Sequence, residues 1–246
     1  NARRRLLSRS QAYHYYSIGE AYRNLRASLL ACHGDVPHTV TLVTSALPSE
    51  GKTSTAVNSA VVLALSGRRV VLVDADLRKP RCHRHLGADN QEGLAGVLSG
   101  LSSLDSALQG TEIENLDFLG SGNVPSNPSE LLSLPEMTET LQQLRREYDY
   151  IIIDSPPVMA VSDALILAEL ADGVVLVVDC GATPKQKVRA ACARLHHSRA
   201  RLLGIVLNKA VSDYDYYPRY YSEDGEVIVP AADESSNDAA EAGGSA

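Results

Sequence analysis

Short runs of β-branched and aliphatic residues alternate along this chain with stretches whose apolar positions recur at helical spacing. From Ile18 to Leu30, the side chains of Ile18, Ala21, Tyr22, Leu25 and Leu29 follow a helical period. Residues 1–16 before them are polar and basic without a clear period. Thr39–Thr44 reads as a short strand, and a loop with Pro48, Ser49 and Gly51 leads into a helical pattern over Thr53–Leu65 that closes at Gly67. Further strands are expected at Val70–Val73, Leu116–Leu119, Tyr150–Ile153, Gly173–Val178 and Leu202–Leu207. Further helices are expected over Glu92–Leu98, Ser129–Tyr148 (interrupted near Pro135) and Ser162–Leu170. A last helix runs from Pro184 to about Ser198 with Thr183 as its N-cap. Strands that are apolar throughout and alternate with helices predict an α/β fold. Its central sheet is mostly parallel, with helices on both faces.

Length and composition narrow the picture. A chain of 246 residues has room for one sizeable domain rather than two. Trp is absent and Phe118 is the single phenylalanine, so the core must be aliphatic. A formal charge of −7 argues against nucleic acid as a partner, because phosphates call for a cationic surface. The charge is uneven: Arg3, Arg4 and Arg5 open the chain, and Asp233, Glu234, Asp238 and Glu241 lie near its end. Such a leader suits either an anionic membrane surface or plain solvent. Beyond Asp233 the composition reads as a disordered tail. Cys32, Cys82, Cys180 and Cys192 show no CxxC spacing and read as reduced thiols of a cytosolic protein. The longest apolar stretches, 60–65 and 174–178, fall far short of the roughly 20 residues that span a bilayer. No signal-peptide pattern is visible, and a chain that starts at Asn1 fits a fragment of something longer.

The strongest chemical feature is Ala46-Leu47-Pro48-Ser49-Glu50-Gly51-Lys52-Thr53, between an expected strand and an expected helix. A P-loop needs backbone N–H groups that face phosphates, a glycine for close approach, a lysine for the β/γ-phosphates and a hydroxyl for Mg²⁺. Gly51, Lys52 and Thr53 supply these, Ser49, Glu50 and Ser54 flank them, and the helix N-terminus adds partial positive charge. Ala46 stands where the usual pattern has Gly. Two more strands end in carboxylates: Ile151-Ile152-Ile153-Asp154, a Walker B pattern, and Val70–Val73 followed by Asp74-Ala75-Asp76. Ligands of open parallel sheets collect at the carboxyl ends of strands, so the three motifs should converge. Either carboxylate of the Asp74/Asp76 pair could take a proton from an attacking hydroxyl. ATP and Mg²⁺ are the expected cofactors.

The combination of Val73-Asp74-Ala75-Asp76-Leu77-Arg78-Lys79-Pro80, Asn127-Pro128-Ser129-Glu130-Leu131-Leu132 and Asp154-Ser155-Pro156-Pro157 resembles the bacterial tyrosine kinases, P-loop autokinases attached to exopolysaccharide and capsule export. The likeness extends from about Ser17 to Tyr221. It implies Asp74 as the hydroxyl-activating group, with Asp76, Asp154 and Thr53 serving the metal. Asn208, at the end of the last strand, resembles a base-recognising Asn, although it would equally serve as a strand-end cap. Cys82-His83-Arg84-His85 lacks a complete ligand set for a metal.

The family also implies what the C-terminal tyrosines do. Tyr214, Tyr216, Tyr217, Tyr220 and Tyr221 place five of the chain's 11 tyrosines within eight residues. A core strand would not interleave Asp215, Pro218 and Arg219 with them. The resemblance makes them phosphoacceptors. Glu20, Arg23 and Arg26 are spaced for a pair within one helix, whereas the family motif they match joins neighbouring subunits into a ring. Implied partners are a membrane chain-length regulator that activates the kinase and a tyrosine phosphatase, with the protein at the cytoplasmic face of the membrane. The expected division is a basic leader at 1–16, a P-loop kinase domain at 17–210, and a tyrosine cluster with an acidic tail at 211–246. The competing reading is a P-loop ATPase switch of the Min and Par type, or an assembly scaffold without kinase activity. Those ATPases carry an additional lysine early in the loop, and Ala46–Glu50 offers none.

Overall fold

The computed structural model describes residues 9–32 and 39–210. The expected tyrosine cluster (Tyr214 to Tyr221), the Arg3–Arg5 leader and the acidic tail lie outside the described residues. All six apolar runs become strands: β1 (Val40–Ser45), β2 (Val70–Asp74), β4 (Leu116–Leu119), β5 (Tyr150–Asp154), β6 (Gly173–Asp179) and β7 (Leu202–Asn208). A seventh, β3 (Leu108–Gly110), completes one sheet in the order β3-β4-β2-β5-β1-β6-β7. Every pairing is parallel except β3 with β4.

Helices cover both faces because the strands present apolar side chains to both. In β2, Val71 and Val73 join one hydrophobic cluster, and Val70 and Leu72 join the other. Ile151 and Ile153 divide from Tyr150 and Ile152 in β5 in the same way. This is the two-residue period of a strand buried on both sides. One face carries α1 (Arg9–Ala31) and α2 (Lys52–Ala64), whose Leu29, Ala56, Ala60 and Leu63 are buried. The other carries α7 (Pro135–Glu147), α8 (Asp163–Leu170) and α9 (Lys185–His197) through Leu141, Leu144, Leu167 and Leu195. The short helices α3 (Cys82–Leu86), α4 (Leu94–Leu98), α5 (Leu104–Ala107) and α6 (Pro128–Leu132) bridge the strands between them.

Three elements differ from the sequence expectation. Helix α1 starts at Arg9, nine residues before Ile18, and no Gly or Pro interrupts that stretch. The expected helix over Ser129–Tyr148 is two helices: α6 ends at Leu132 and Pro135 opens α7. Thr183 does not cap α9. The helix begins at Lys185 with Pro184 in the cap position, because the Thr183 hydroxyl donates to the carboxylate of Glu50 instead. Among the described residues no helix is long and apolar enough to cross a membrane.

Candidate active site

The strand-end carboxylates converge through register and parity. Asp74 and Asp154 are direct partners across β2 and β5. They continue the face of Leu72 and Ile152, which α2 covers. Lys52 and Thr53 start α2, which the loop 46–51 joins to β1, whose Val43 pairs with Asp154. Two glycine-like conformations shape the loop between them: Ser49 at φ 66° and Gly51 at φ 95°. Ala46 is fully buried within the core below, which accounts for its place in the P-loop pattern.

Lys52 Nζ lies 2.9 Å from Asp76 Oδ2 and 3.7 Å from Asp154 Oδ2. The Thr53 hydroxyl donates to Asp154 Oδ2 at 2.7 Å, while Asp154 Oδ1 is buried without a hydrogen-bond partner. A buried carboxylate oxygen with no donor is costly unless a cation meets it. Thr53, Asp76 and Asp154 form the all-oxygen donor set that a hard divalent ion prefers, so these residues fit Mg²⁺. Burial raises the proton affinity of Asp154, opposed by Lys52 and Thr53. Lys52 is itself held above its ordinary pKa; burial pulls it down, but Asp154 and Asp76 together outweigh that.

The two carboxylates flanking Ala75 are not equivalent. Asp76 faces a cleft of about 550 Å³ that Ser49, Gly51, Lys52, Thr53, Ser54 and Asn208 also line. Asp74 lies behind it, fully buried. Its oxygens accept from the backbone N–H groups of Arg81 (3.0 Å), Cys82 (2.9 Å) and Asp76 (3.3 Å). Burial and then the charge of Asp154 push its pKa up to about 7, against the Cys82 and Arg81 amides. Burial thus favours a proton on Asp74, whereas Asp76 is the one with access to the cleft. The Cys82 thiol is buried with them, within 4.8 Å of the Asp74 and Asp154 oxygens, and burial keeps it protonated.

Glu50 stands apart from the other expected ligands. It does not line the cleft, and its carboxylate turns toward Thr183 and Asp179 on the far side of the loop. Asn208 does reach the cleft, with its Nδ2 donating to the Glu50 carbonyl at 2.8 Å. Within α1, Glu20 and Arg23 form an ion pair, and Arg26 donates to the Val62 carbonyl of α2 at 3.3 Å.

One network was not anticipated. At the cleft mouth Arg78 grips the wholly buried Asp163 through Nε at 2.8 Å and Nη2 at 3.1 Å, with Ser129 donating to the same carboxylate at 2.6 Å. Burial would raise the Asp163 pKa, but Arg78 and Ser129 outweigh it and lower the value. Arg78 and Ser129 both belong to the distinctive motifs, but their shared partner is a lone Asp with no motif of its own.

An AAA domain model matches residues 49–216. The tyrosine-protein kinase YwqD of Bacillus subtilis is 41% identical over 206 residues, covering 83% of this chain and 87% of YwqD. The chain belongs to the bacterial tyrosine-protein kinases. The tyrosine-protein kinase wzc of Salmonella typhimurium is 34% identical over 211 residues; 83% of this chain is covered but only 29% of wzc. The chain therefore spans nearly all of one such kinase and under a third of another. The kinase domain of the Escherichia coli tyrosine kinase ETK superposes with a TM-score of 0.77 at 32% identity, covering 80% of this chain and 77% of that one. The P-loop fold of these kinases binds a nucleotide together with a divalent metal.

Proposed function

We propose that this tyrosine-kinase domain transfers the γ-phosphate of ATP to tyrosines Tyr214, Tyr216, Tyr217, Tyr220 and Tyr221 of a neighbouring copy. The reading rests on one observation: Lys52, Thr53 and Asp76 line one cleft, and Lys52 and Thr53 also meet the buried Asp154, one of whose carboxylate oxygens lacks a partner. ATP would lie with its phosphates against the loop from Ser49 to Ser54. Thr53, Asp76 and Asp154 would hold Mg²⁺, which supplies positive charge to the phosphate oxygens. Lys52 would exchange its carboxylate partners for the β- and γ-phosphates.

The phenol oxygen of the acceptor then bonds to the γ-phosphorus as the bond to the β,γ-bridging oxygen breaks. ADP leaves and the phenol proton passes to a carboxylate. A phenol of pKa about 10 gives up its proton late in such a transfer. The acceptor carboxylate is one of the pair flanking Ala75, and comparing Asp74→Asn with Asp76→Asn separates proton affinity from access. Arg78, Lys79, Arg81 and Lys209 line the cleft mouth. Arg78 and Lys209 are paired with Asp163 and Asp179, and the charge of Lys79 and Arg81 suits an incoming segment in which Asp213 and Asp215 accompany the tyrosines.

Contacts through Glu20, Arg23 and Arg26 would assemble a ring that brings one copy's C-terminus to the next copy's cleft. Phosphorylation adds about −1.5 to −2 charge per tyrosine and would loosen that arrangement. The setting is control of exopolysaccharide or capsule synthesis and export at the cytoplasmic face of the membrane. There a membrane chain-length regulator would activate the kinase and a tyrosine phosphatase would reset it. The test mixes Lys52→Met protein, as acceptor, with protein truncated before Tyr214, as kinase, in ATP and Mg²⁺. Phosphotyrosine on the Lys52→Met chain is expected. Phosphate release without any phosphotyrosine would identify an ATPase switch instead.

A further inference from the structure

The underside of the phosphate loop is tied to two other segments of the fold. Glu50 is 3% exposed, and its Oε2 accepts from the Leu47 N–H at 2.5 Å. Its Oε1 accepts from the hydroxyl of Thr183, in the turn between β6 and α9, and from the N–H of Asp179, the last residue of β6, at 3.4 Å. The end of β7 supplies two more donors. Asn208 Nδ2 holds the Glu50 carbonyl at 2.8 Å, and Lys209 Nζ holds the Ser49 carbonyl at 3.0 Å. Lys209 is anchored in turn on Asp179 Oδ2 at 2.6 Å.

Peptide planarity gives these bonds a consequence for anion binding. In a trans peptide the N–H of one residue points opposite to the carbonyl of the residue before it. With the Ser49 carbonyl fixed on Lys209, the Glu50 N–H is turned the other way. With the Glu50 carbonyl fixed on Asn208, the Gly51 N–H is also turned away from Asn208. Two successive amides are thus aimed together, as in an anion-binding nest. A carboxylate at position 50 is suited to this tie because it only accepts, and every group facing it donates. Gly51 is needed in the same place, since a Cβ there would sit 2.0 Å from Asn208 Nδ2.

We propose that Glu50 is a positioning residue, not a phosphate ligand: bonded to Thr183, it keeps the phosphate loop in the form whose amides accept a triphosphate. Asn208 and Lys209 fix the two loop carbonyls in support. The inference rests on ATP being the ligand of the cleft.

Four variants of the 246-residue chain test it by calorimetric titration with ATP and Mg²⁺, alongside melting temperatures without nucleotide. Thr183→Val removes the donor at nearly constant shape and should weaken ATP about tenfold, the worth of one hydrogen bond to a charged group. Thr183→Ser keeps the hydroxyl and should bind within about twofold of wild type. Glu50→Gln should lose at least as much as Thr183→Val. The double variant should bind no worse than Glu50→Gln alone, because the pair acts as one unit. The idea is overturned if Thr183→Val binds ATP like wild type, even with a lowered melting temperature, or if the two losses add. Thr183→Val and Thr183→Ser decide the matter even if Glu50→Gln fails to fold. Wild-type protein that binds no ATP overturns the functional reading and this inference with it, whereas variants equal to a binding wild type overturn the tie alone.

Discussion

Thr53 and Asp154, 101 residues apart in the chain, share a hydrogen bond of 2.7 Å that occupies one carboxylate oxygen and leaves the other buried and unpaired. Lys52 stands on the same occupied side, between Asp154 and Asp76. A triphosphate that drew Lys52 away without bringing a cation would leave both carboxylates uncompensated, at considerable cost. Metal and nucleotide should therefore bind as a pair.

Asp154→Asn should uncouple them. The amide cannot hold a divalent ion in the same way, so magnesium should no longer tighten ATP binding. Wild type is expected to bind ATP at least about tenfold more tightly with Mg²⁺ than with chelator, and the variant equally in both. Fluorescence titrations with a labelled ATP analogue, with and without chelator, measure this. A magnesium response kept intact in the variant would remove Asp154 from the metal set.

Arg78→Ala should destabilise the fold more than its half-exposed position suggests. It strands the fully buried Asp163, and breaking such a pair typically costs about 3–5 kcal/mol when the remaining carboxylate has no other partner. Ser129 remains as a donor, so a smaller loss, about 2–3 kcal/mol, is expected here. Arg78→Ala with Asp163→Ala should recover part of it. Urea denaturation of the two variants gives the comparison, and a double variant no more stable than the single would contradict the argument.

Asp172→Asn should change the acid limb of the stability curve. Both oxygens of Asp172 accept from Arg145 at 2.7 Å, and Oδ2 also accepts from the Val40 N–H at 2.7 Å, which ties α7 to the start of β1. Burial alone would raise this carboxyl, but Arg145 and the amide outweigh it and hold its pKa below the ordinary value. The folded state then binds fewer protons than the unfolded state in the window just below pH 4. The stabilisation is present above the unfolded pKa and is lost as pH falls through the folded one. The variant should be about 1–2 kcal/mol less stable at pH 7, with the gap closing below about pH 4. Thermal melts from pH 7 to pH 3 follow it, and a gap independent of pH would rule out the ionic contribution.

The sequence carried the sheet because its strands are buried on both faces and so appear as unbroken apolar runs. The meeting of the strand-end carboxylates was equally visible, since Asp154 and the Asp74/Asp76 pair each end such a run. Interactions between distant segments were harder to see. Thr183 before Pro184 has the local form of a cap, and only the folded chain brings Glu50 to its hydroxyl. Asp163 looked like any acidic residue in a first helical turn until Arg78 met it. Strand β3 is three residues long and not fully buried, too short for an alternation pattern to register. Asp74 and Asp76 differ in exposure through the backbone turn after β2, which neither residue type announces.

The pairing of Asp74 with Asp154 across β2 and β5 has one more effect. Side chains on a strand switch faces with every residue, so sliding β5 by a single position would send Asp154 to the opposite layer and set an isoleucine against Lys52. The same slip would push a carboxylate into the aliphatic layer beneath the helices. Nucleotide capture and correct strand alignment thus stand or fall together, and a protein that takes up ATP reports that its central strands have been threaded in frame.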